Sequence, residues 1–314
     1  MKKSWIYQAA LLAAAGLVVW FFASNTAQNL EARKIASGLG FLWRESGFEI
    51  GETSGLAYSA ADTYFRALAV GLANTFRVAL IGILGATLLG TLLGLARLSP
   101  NWLLAKLAAL YVEVIRNVPL LVQLFFWYAL ISENLPGPRE ALNPFPGVYL
   151  SNRGIFFPLP GSMPVLSGFN FQGGAQLSPE FAALLVGLTT YTAAFIGEIV
   201  RAGIQSVRRG QFDAAYSLGL ERRAALRYIV MPQALRAIVP PLTSQYLNLT
   251  KNSSLAVAIG YPDLVSIANT TMNQTGQAIE GIAAIMVVYL AISLSISGFM
   301  NWYNRRVALK GEHR

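Results

Sequence analysis

The chain contains no cysteine, so neither disulfides nor thiolate ligands contribute to its structure or chemistry. Its single histidine, His313, sits in the C-terminal tail, which leaves little scope for an imidazole metal site. No metal ligand and no catalytic residue is assigned. The phosphate-cradling pattern Gly-x4-Gly-Lys-Ser/Thr is also missing, so nucleotide hydrolysis is not expected of this chain. Charge is scarce: 12% of the 314 residues are charged, against about 25% in a soluble domain.

Hydrophobic residues make up 54% of the chain, and apolar runs long enough to cross a bilayer recur along it. The expectation is an all-α polytopic membrane protein with about six transmembrane helices. The net charge of +9 invites comparison with nucleic-acid binders. The basic residues, however, concentrate at alternate ends of the apolar runs, as membrane topology requires. Lipid, and not nucleic acid, is therefore the expected surroundings.

In chain order, Lys2 and Lys3 precede an apolar run from Trp5 to Ala23. It is long for a signal peptide and lacks a clear small-x-small cleavage site, so it reads as a retained first span with a cytoplasmic N-terminus. Residues 25–62 read as a polar outer loop, with an interfacial helix around Gly38 to Arg44. Span two covers Tyr64 to Ala96, and Ser99-Pro100-Asn101 turns the chain at the inner face. Span three covers Trp102 to Ile131, with a kink at Pro119.

Ser132 to Pro179 holds more than half of the fourteen prolines, with many glycines and aromatics. It is expected to be one long irregular periplasmic loop with short extended pieces. Its aromatics (Phe145, Tyr149, Phe156, Phe157, Phe169 and Phe171) argue against plain disorder. Span four covers Glu180 to Val207, and span five Gln233 to Ile259, broken at Pro240-Pro241. After a polar outer region, span six runs from Gly281 to Asn304 and ends at Arg305, Arg306 and Lys310. Both termini fall in the cytoplasm. The expected domains are 1–63, a span with an outer segment; 64–308, the main transmembrane domain; and 309–314, a tail. The main domain includes the insertion 132–179 and an inner loop 208–232.

That inner loop carries the strongest motif. Asp213, Ala214 and Ala215 are followed at fixed spacing by Gly219, Ile229 and Pro232. Asp213 reads as lying near the start of a short helix, where a carboxylate suits the free N–H groups. Gly219 reads as its left-handed stop. Glu221 to Tyr228 reads as a second short helix, and Pro232 fits the first turn of the next membrane helix. The spacing resembles the EAA loop of ABC-importer permeases: Glu-Ala-Ala, three residues, Gly, nine residues, Ile, any residue, Leu-Pro. Asp213 stands for the Glu and Met231 for the Leu. Three further stretches, Leu95 to Tyr128, Thr190 to Val207 and Leu247 to Val265, are similar to polar amino-acid permeases. The last is closest to the general L-amino acid and glutamate/glutamine branch.

The resemblance implies a type I ABC-importer fold and a set of partners. These are a second permease subunit, identical or related, two ATPase subunits that each receive the helix–Gly–helix elbow formed by Gln211 to Gln233 and bind ATP and magnesium, and a periplasmic amino-acid binding protein. It implies an inner-membrane location. An ion-coupled secondary carrier and a membrane anchor of a signalling complex are the alternatives from other classes.

Polar residues within the spans each have a functional reading and a structural one. Glu113 with Arg116, and Glu198 with Arg201, place opposite charges three residues apart on one helical face. Each is either a self-neutralised pair or a gate that exchanges partners between helices. Arg77 and Lys251 have no acidic residue within helical reach. Each either holds a substrate carboxylate, snorkels to headgroups, or pairs with a distant carboxylate. Asn252, Ser253, Gln123 and Asn74 are candidate lining groups of the same path, or helix–helix glue.

Overall fold

Surrounded by hydrocarbon, a backbone must satisfy its own N–H and C=O groups, so the apolar runs become long helices. The computed structural model describes residues 2–32 and 37–307. Lys310, His313 and the tail 309–314 lie outside the described residues. Among the described residues, four helices are long and apolar enough to cross a membrane: α1 (Lys2–Ala32), α2 (Tyr64–Arg97), α5 (Pro179–Gln205) and α10 (Ala278–Val307).

The expected third span is broken, not kinked. α3 (Trp102–Asn117) and α4 (Leu120–Ser132) meet at 105° and give a fifth candidate span only as a bent pair. The proline ring pushes the preceding Val118 into an extended conformation (φ −97°, ψ 128°), and α4 restarts from Pro119.

The expected fifth span also differs. α8 (Met231–Asn252) runs through Pro240 and Pro241 without a break. Each proline withholds one donor, which frees only the carbonyls of Arg236 and Ala237. The α-helix ends instead at Asn252, passing into a 3-10 turn (Ser253–Ile259) closed by left-handed Gly260. At 22 residues α8 is about 33 Å long, but it is more polar than the other spans. By length and apolarity alone, four spans, or five with the bent pair, qualify among the described residues; α8 is long enough to be the remaining expected span but too polar to qualify by composition.

α2 and α5 form the axis of the bundle. Their backbones approach closely at small residues, as membrane helices do without a hydrophobic force between them. A Cβ on Gly94 would lie 2.7 Å from the Gly197 carbonyl oxygen and 2.8 Å from Val200 Cβ. Around this contact Leu124, Phe181, Leu184, Leu188, Ile196 and Leu249 are fully buried.

The segment before α2 folds back on the bundle. A 3-10 turn at Leu39–Trp43 falls inside the expected interfacial helix. The Ser46 and Gly47 amides donate to Asp62 (2.8 Å) and Ala60 (2.9 Å). Ile50 is buried with Ala67 and Val70 of α2 and Ile267 of α9 (Leu264–Thr275).

Residues 132–179 are not an irregular loop. They contain a four-stranded antiparallel sheet of β1 (Leu142–Phe145), β2 (Val148–Ser151), β3 (Gly154–Phe157) and β6 (Ala175–Leu177), in the order β1-β2-β3-β6. A hairpin of β4 (Val165–Ser167) and β5 (Asn170–Gln172) completes it. Tyr149 pairs with Phe156 across β2 and β3, and Phe171 stacks on Tyr149 at 4.4 Å. With Phe156 and Phe171 both buried, the aromatics supply a small core that the loop reading lacked.

Candidate functional site

The elbow begins directly after α5. α6 (Arg209–Ser217) starts four residues before Asp213, so Asp213 lies mid-helix and exposed, and does not serve the helix N-terminus as expected. Ala214 is exposed, whereas Ala215 is buried.

The helix stops where the sequence predicts. Gly219 takes φ +74°, its N–H donates to the Tyr216 carbonyl (2.9 Å), and the Leu220 N–H reaches back to Ala215 (3.1 Å). These two bonds make a Schellman closure, which requires a left-handed residue at that position. Beyond its chain neighbours, no atom of the described residues lies within 4 Å of where a Gly219 Cβ would be, so the glycine serves backbone conformation and not space.

The second elbow helix is shorter than expected. α7 (Arg222–Ala225) passes into a π-helical turn (Leu226–Val230) that contains Ile229 and runs unbroken into α8. Pro232 cannot donate to Tyr228, and the π turn absorbs the defect with a bond from the Met231 N–H to Leu226. Gln233 donates to Gln211 (3.1 Å) and to the Ile229 carbonyl (3.0 Å), tying the two arms together. The elbow is therefore braced on itself and continuous with a 22-residue helix.

Of the two expected charge pairs, one forms. Glu198 pairs with Arg201 on α5 and also with Arg97 at the end of α2. The Arg201 Nε lies 3.0 Å from Glu198, and its guanidinium also bonds Gln205. Glu113 and Arg116 do not pair: Glu113 is exposed, and the Arg116 guanidinium stacks over Phe195 at 5.0 Å. The cation–π contact with Phe195 of α5 takes the place of the helical neighbour.

Arg77 is not unpaired. It pairs with Glu52, and its guanidinium lies 4.1 Å over Phe181. Ser178 Oγ donates to the same carboxylate at 2.6 Å. Asn74 is fully buried; its amide donates to the carbonyls of Glu52 (2.7 Å) and Pro262 (2.8 Å), and its oxygen accepts from Ser54. Gln123 donates to Ile115 (2.9 Å) and Val118 (3.0 Å), carbonyls freed by the Pro119 break. These three candidate path residues each tie segments together, the structural reading of the two.

Lys251 remains exposed in the last turn of α8, with no ion pair among the described residues. Asn252 is half-buried beside it, and buried Ser253 turns its hydroxyl to the Thr250 carbonyl (2.7 Å).

Three residues of this arrangement escape sequence reasoning. Glu52 and Arg97 lie 25 and 101 positions from their partners. Asp263 has the only recognisable signal, as the cap of α9: its Oδ1 accepts from the Ser266 amide at 2.8 Å. It is 1% exposed, its other oxygen has no hydrogen-bond partner among the described residues, and burial raises its carboxyl to about 7.

The family described as binding-protein-dependent transport system inner membrane component matches residues 86–309. The putative amino-acid ABC transporter permease protein YhdX of Escherichia coli (strain K12) is 46% identical, covering 98% of this chain and 94% of that protein. The general L-amino acid transport system permease protein AapQ of Rhizobium johnstonii is 44% identical, covering 93% and 88%. Among solved structures, the crystal structure of an amino acid ABC transporter with histidines superposes with a TM-score of 0.58 at 28% identity, covering 77% of this chain and 95% of that one. This chain belongs to the family of binding-protein-dependent transport system inner membrane components.

Proposed function

We propose that the chain is the membrane subunit of an ATP-driven importer for polar L-amino acids such as glutamate, glutamine and aspartate, or a broader set. The observation that carries this reading is the elbow: the Asp-Ala-Ala, Gly, Ile, Pro spacing folds into a self-braced unit. The amino-acid permeases among its relatives support the substrate class.

In this reading the chain sits in the inner membrane with both termini in the cytoplasm. It pairs with a second permease subunit, identical or related. Two ATPase subunits bind ATP and magnesium and grip the elbows through the exposed Asp213 and Ala214, while buried Ala215 and the Gly219 stop, with Ile229 and Pro232, hold the elbow in shape. A periplasmic binding protein delivers substrate to the opposite face, where the 132–179 sheet contributes to its seat.

The mechanics follow from continuity. Closure of the ATPases displaces the elbow, and the helical path from Arg222 to Asn252 carries that displacement about 33 Å along α8 to Lys251. Lys251 holds the substrate carboxylate in transit, flanked by Asn252 and Ser253. Near the elbow, Glu198 bridges Arg97 of α2 and Arg201 of α5; breaking the inter-helix half of this cluster lets α2 and α5 separate. Such a bridge is a two-state element that a driven motion can bias.

Gentle purification of the chain tests the partner set. Co-purification of a nucleotide-binding subunit that is lost when Gly219 is replaced supports the reading. A chain that purifies without such a subunit, yet transports in vesicles on an ion gradient alone, overturns it.

A further inference from the structure

We propose that the groove between the elbow and the α2–α3 turn is a binding site for an anionic phospholipid. The inference needs only the membrane location of the chain, not its substrate or its energy source.

The groove encloses about 1340 Å³. Its floor is apolar: Leu92 and Leu95 of α2, Ile204 of α5, Phe212 of α6, and Leu226 and Met231 of the π turn and α8. Its rim carries Arg222, Arg223 and Arg227, and no acidic residue among the described residues lines it. All three arginines are exposed, and none forms an ion pair among the described residues. Arg227 lies beside the Tyr228 ring, at 5.6 Å.

The location matches the ligand. The groove opens where α2 ends in Arg97 and the Ser99-Pro100-Asn101 turn leads into α3. Trp102, Leu103 and Leu104 at the start of α3 are exposed, and tryptophan is the residue favoured at a membrane–water boundary. Basic pockets between membrane helices capture anionic headgroups. A guanidinium also matches a phosphate by two parallel hydrogen bonds. A free phosphate would use the three cations and leave the apolar floor wet. A neutral chain would fill the floor and leave the cations unanswered. An amphiphile with an anionic head answers both.

The test uses the permease with its ATPase in mild detergent, titrated with short-chain phosphatidylglycerol. Phosphatidylcholine of the same chain length and glycerol phosphate are the controls. Saturable binding of phosphatidylglycerol, at least tenfold tighter than either control, is the expected result. Replacing Arg222, Arg223 and Arg227 together by Gln should weaken it on the order of a hundredfold, at about fivefold per charge. Leu95→Trp fills the floor, leaves the arginines in place and should also weaken binding. If the triple variant does not fold, Arg227→Gln and Leu95→Trp carry the test.

Equal binding of phosphatidylcholine would show an apolar groove only. Equal binding of glycerol phosphate would show a free-anion site. Binding unchanged in the variants would show non-specific lipid. Binding present only after the ATPase is removed would assign the groove to that subunit. Each of these overturns the proposal.

Discussion

The ion pair between Arg77 and Glu52 separates a structural role for Arg77 from a transport role. The Arg77 and Glu52 side chains are 28% and 16% exposed, so both are largely removed from solvent. Breaking a fully buried pair by removing one partner costs about 3–5 kcal/mol, because the other charge is left uncompensated. Here residual solvent contact discounts that to about 2–3 kcal/mol for Arg77→Met. The single change leaves Glu52 with Ser178 as its remaining side-chain donor. Adding Glu52→Gln removes the stranded charge, so the double variant should recover most of the loss. Melting curves of the two single variants and the double variant in detergent form a complete cycle, with uptake measured on the same preparations. A coupling below about 0.5 kcal/mol would refute the pairing as a stabilising contact. An Arg77→Met protein that is fully stable but does not transport would refute the structural assignment and return Arg77 to the substrate path.

Gly219→Val should cost about 1–3 kcal/mol locally, because a β-branched residue resists φ +74° although nothing crowds the site; pull-down of the ATPase should fail while membrane insertion persists. Lys251→Met should lower uptake several-fold with binding-protein affinity unchanged, and normal uptake would remove Lys251 from the path. Asp263 has a raised folded-state value near 7, so the folded state holds its proton more tightly than the unfolded chain. Its contribution is full below about pH 4 and is lost as pH rises to about 7, on the order of 4 kcal/mol in all. Asp263→Asn keeps the helix cap and should flatten that slope, with equal or greater stability above pH 7, as read from melting temperature against pH.

What was legible in the sequence was local. The Gly219 stop, the helix boundary near Arg97 and the disturbance at Pro119 each follow from one residue's backbone chemistry. The size of the Pro119 break did not follow, since 105° depends on where α4 packs against α5. Pro240-Pro241 shows the opposite error: a breaker read by local rules sits inside a continuous helix that packs against α5 and α10. The sheet in 132–179 was hidden because its strands are three or four residues long, too short for alternation to register. The pairing of Arg77 and Arg97 depended on side chains brought together by tertiary folding, whereas Glu198–Arg201 was readable from helical spacing alone.

The most direct measurement is uptake of labelled amino acids into vesicles. These would contain the chain, its partner permease and the ATPase subunits, with the binding protein and substrate presented to the outer face and ATP enclosed. Accumulation of glutamate, glutamine or aspartate should require hydrolysable ATP and the binding protein together, and should collapse in the Gly219→Val variant. Accumulation at the same rate without ATP, driven by a proton or sodium gradient, would contradict the assignment of this chain as the membrane half of an ATP-driven importer.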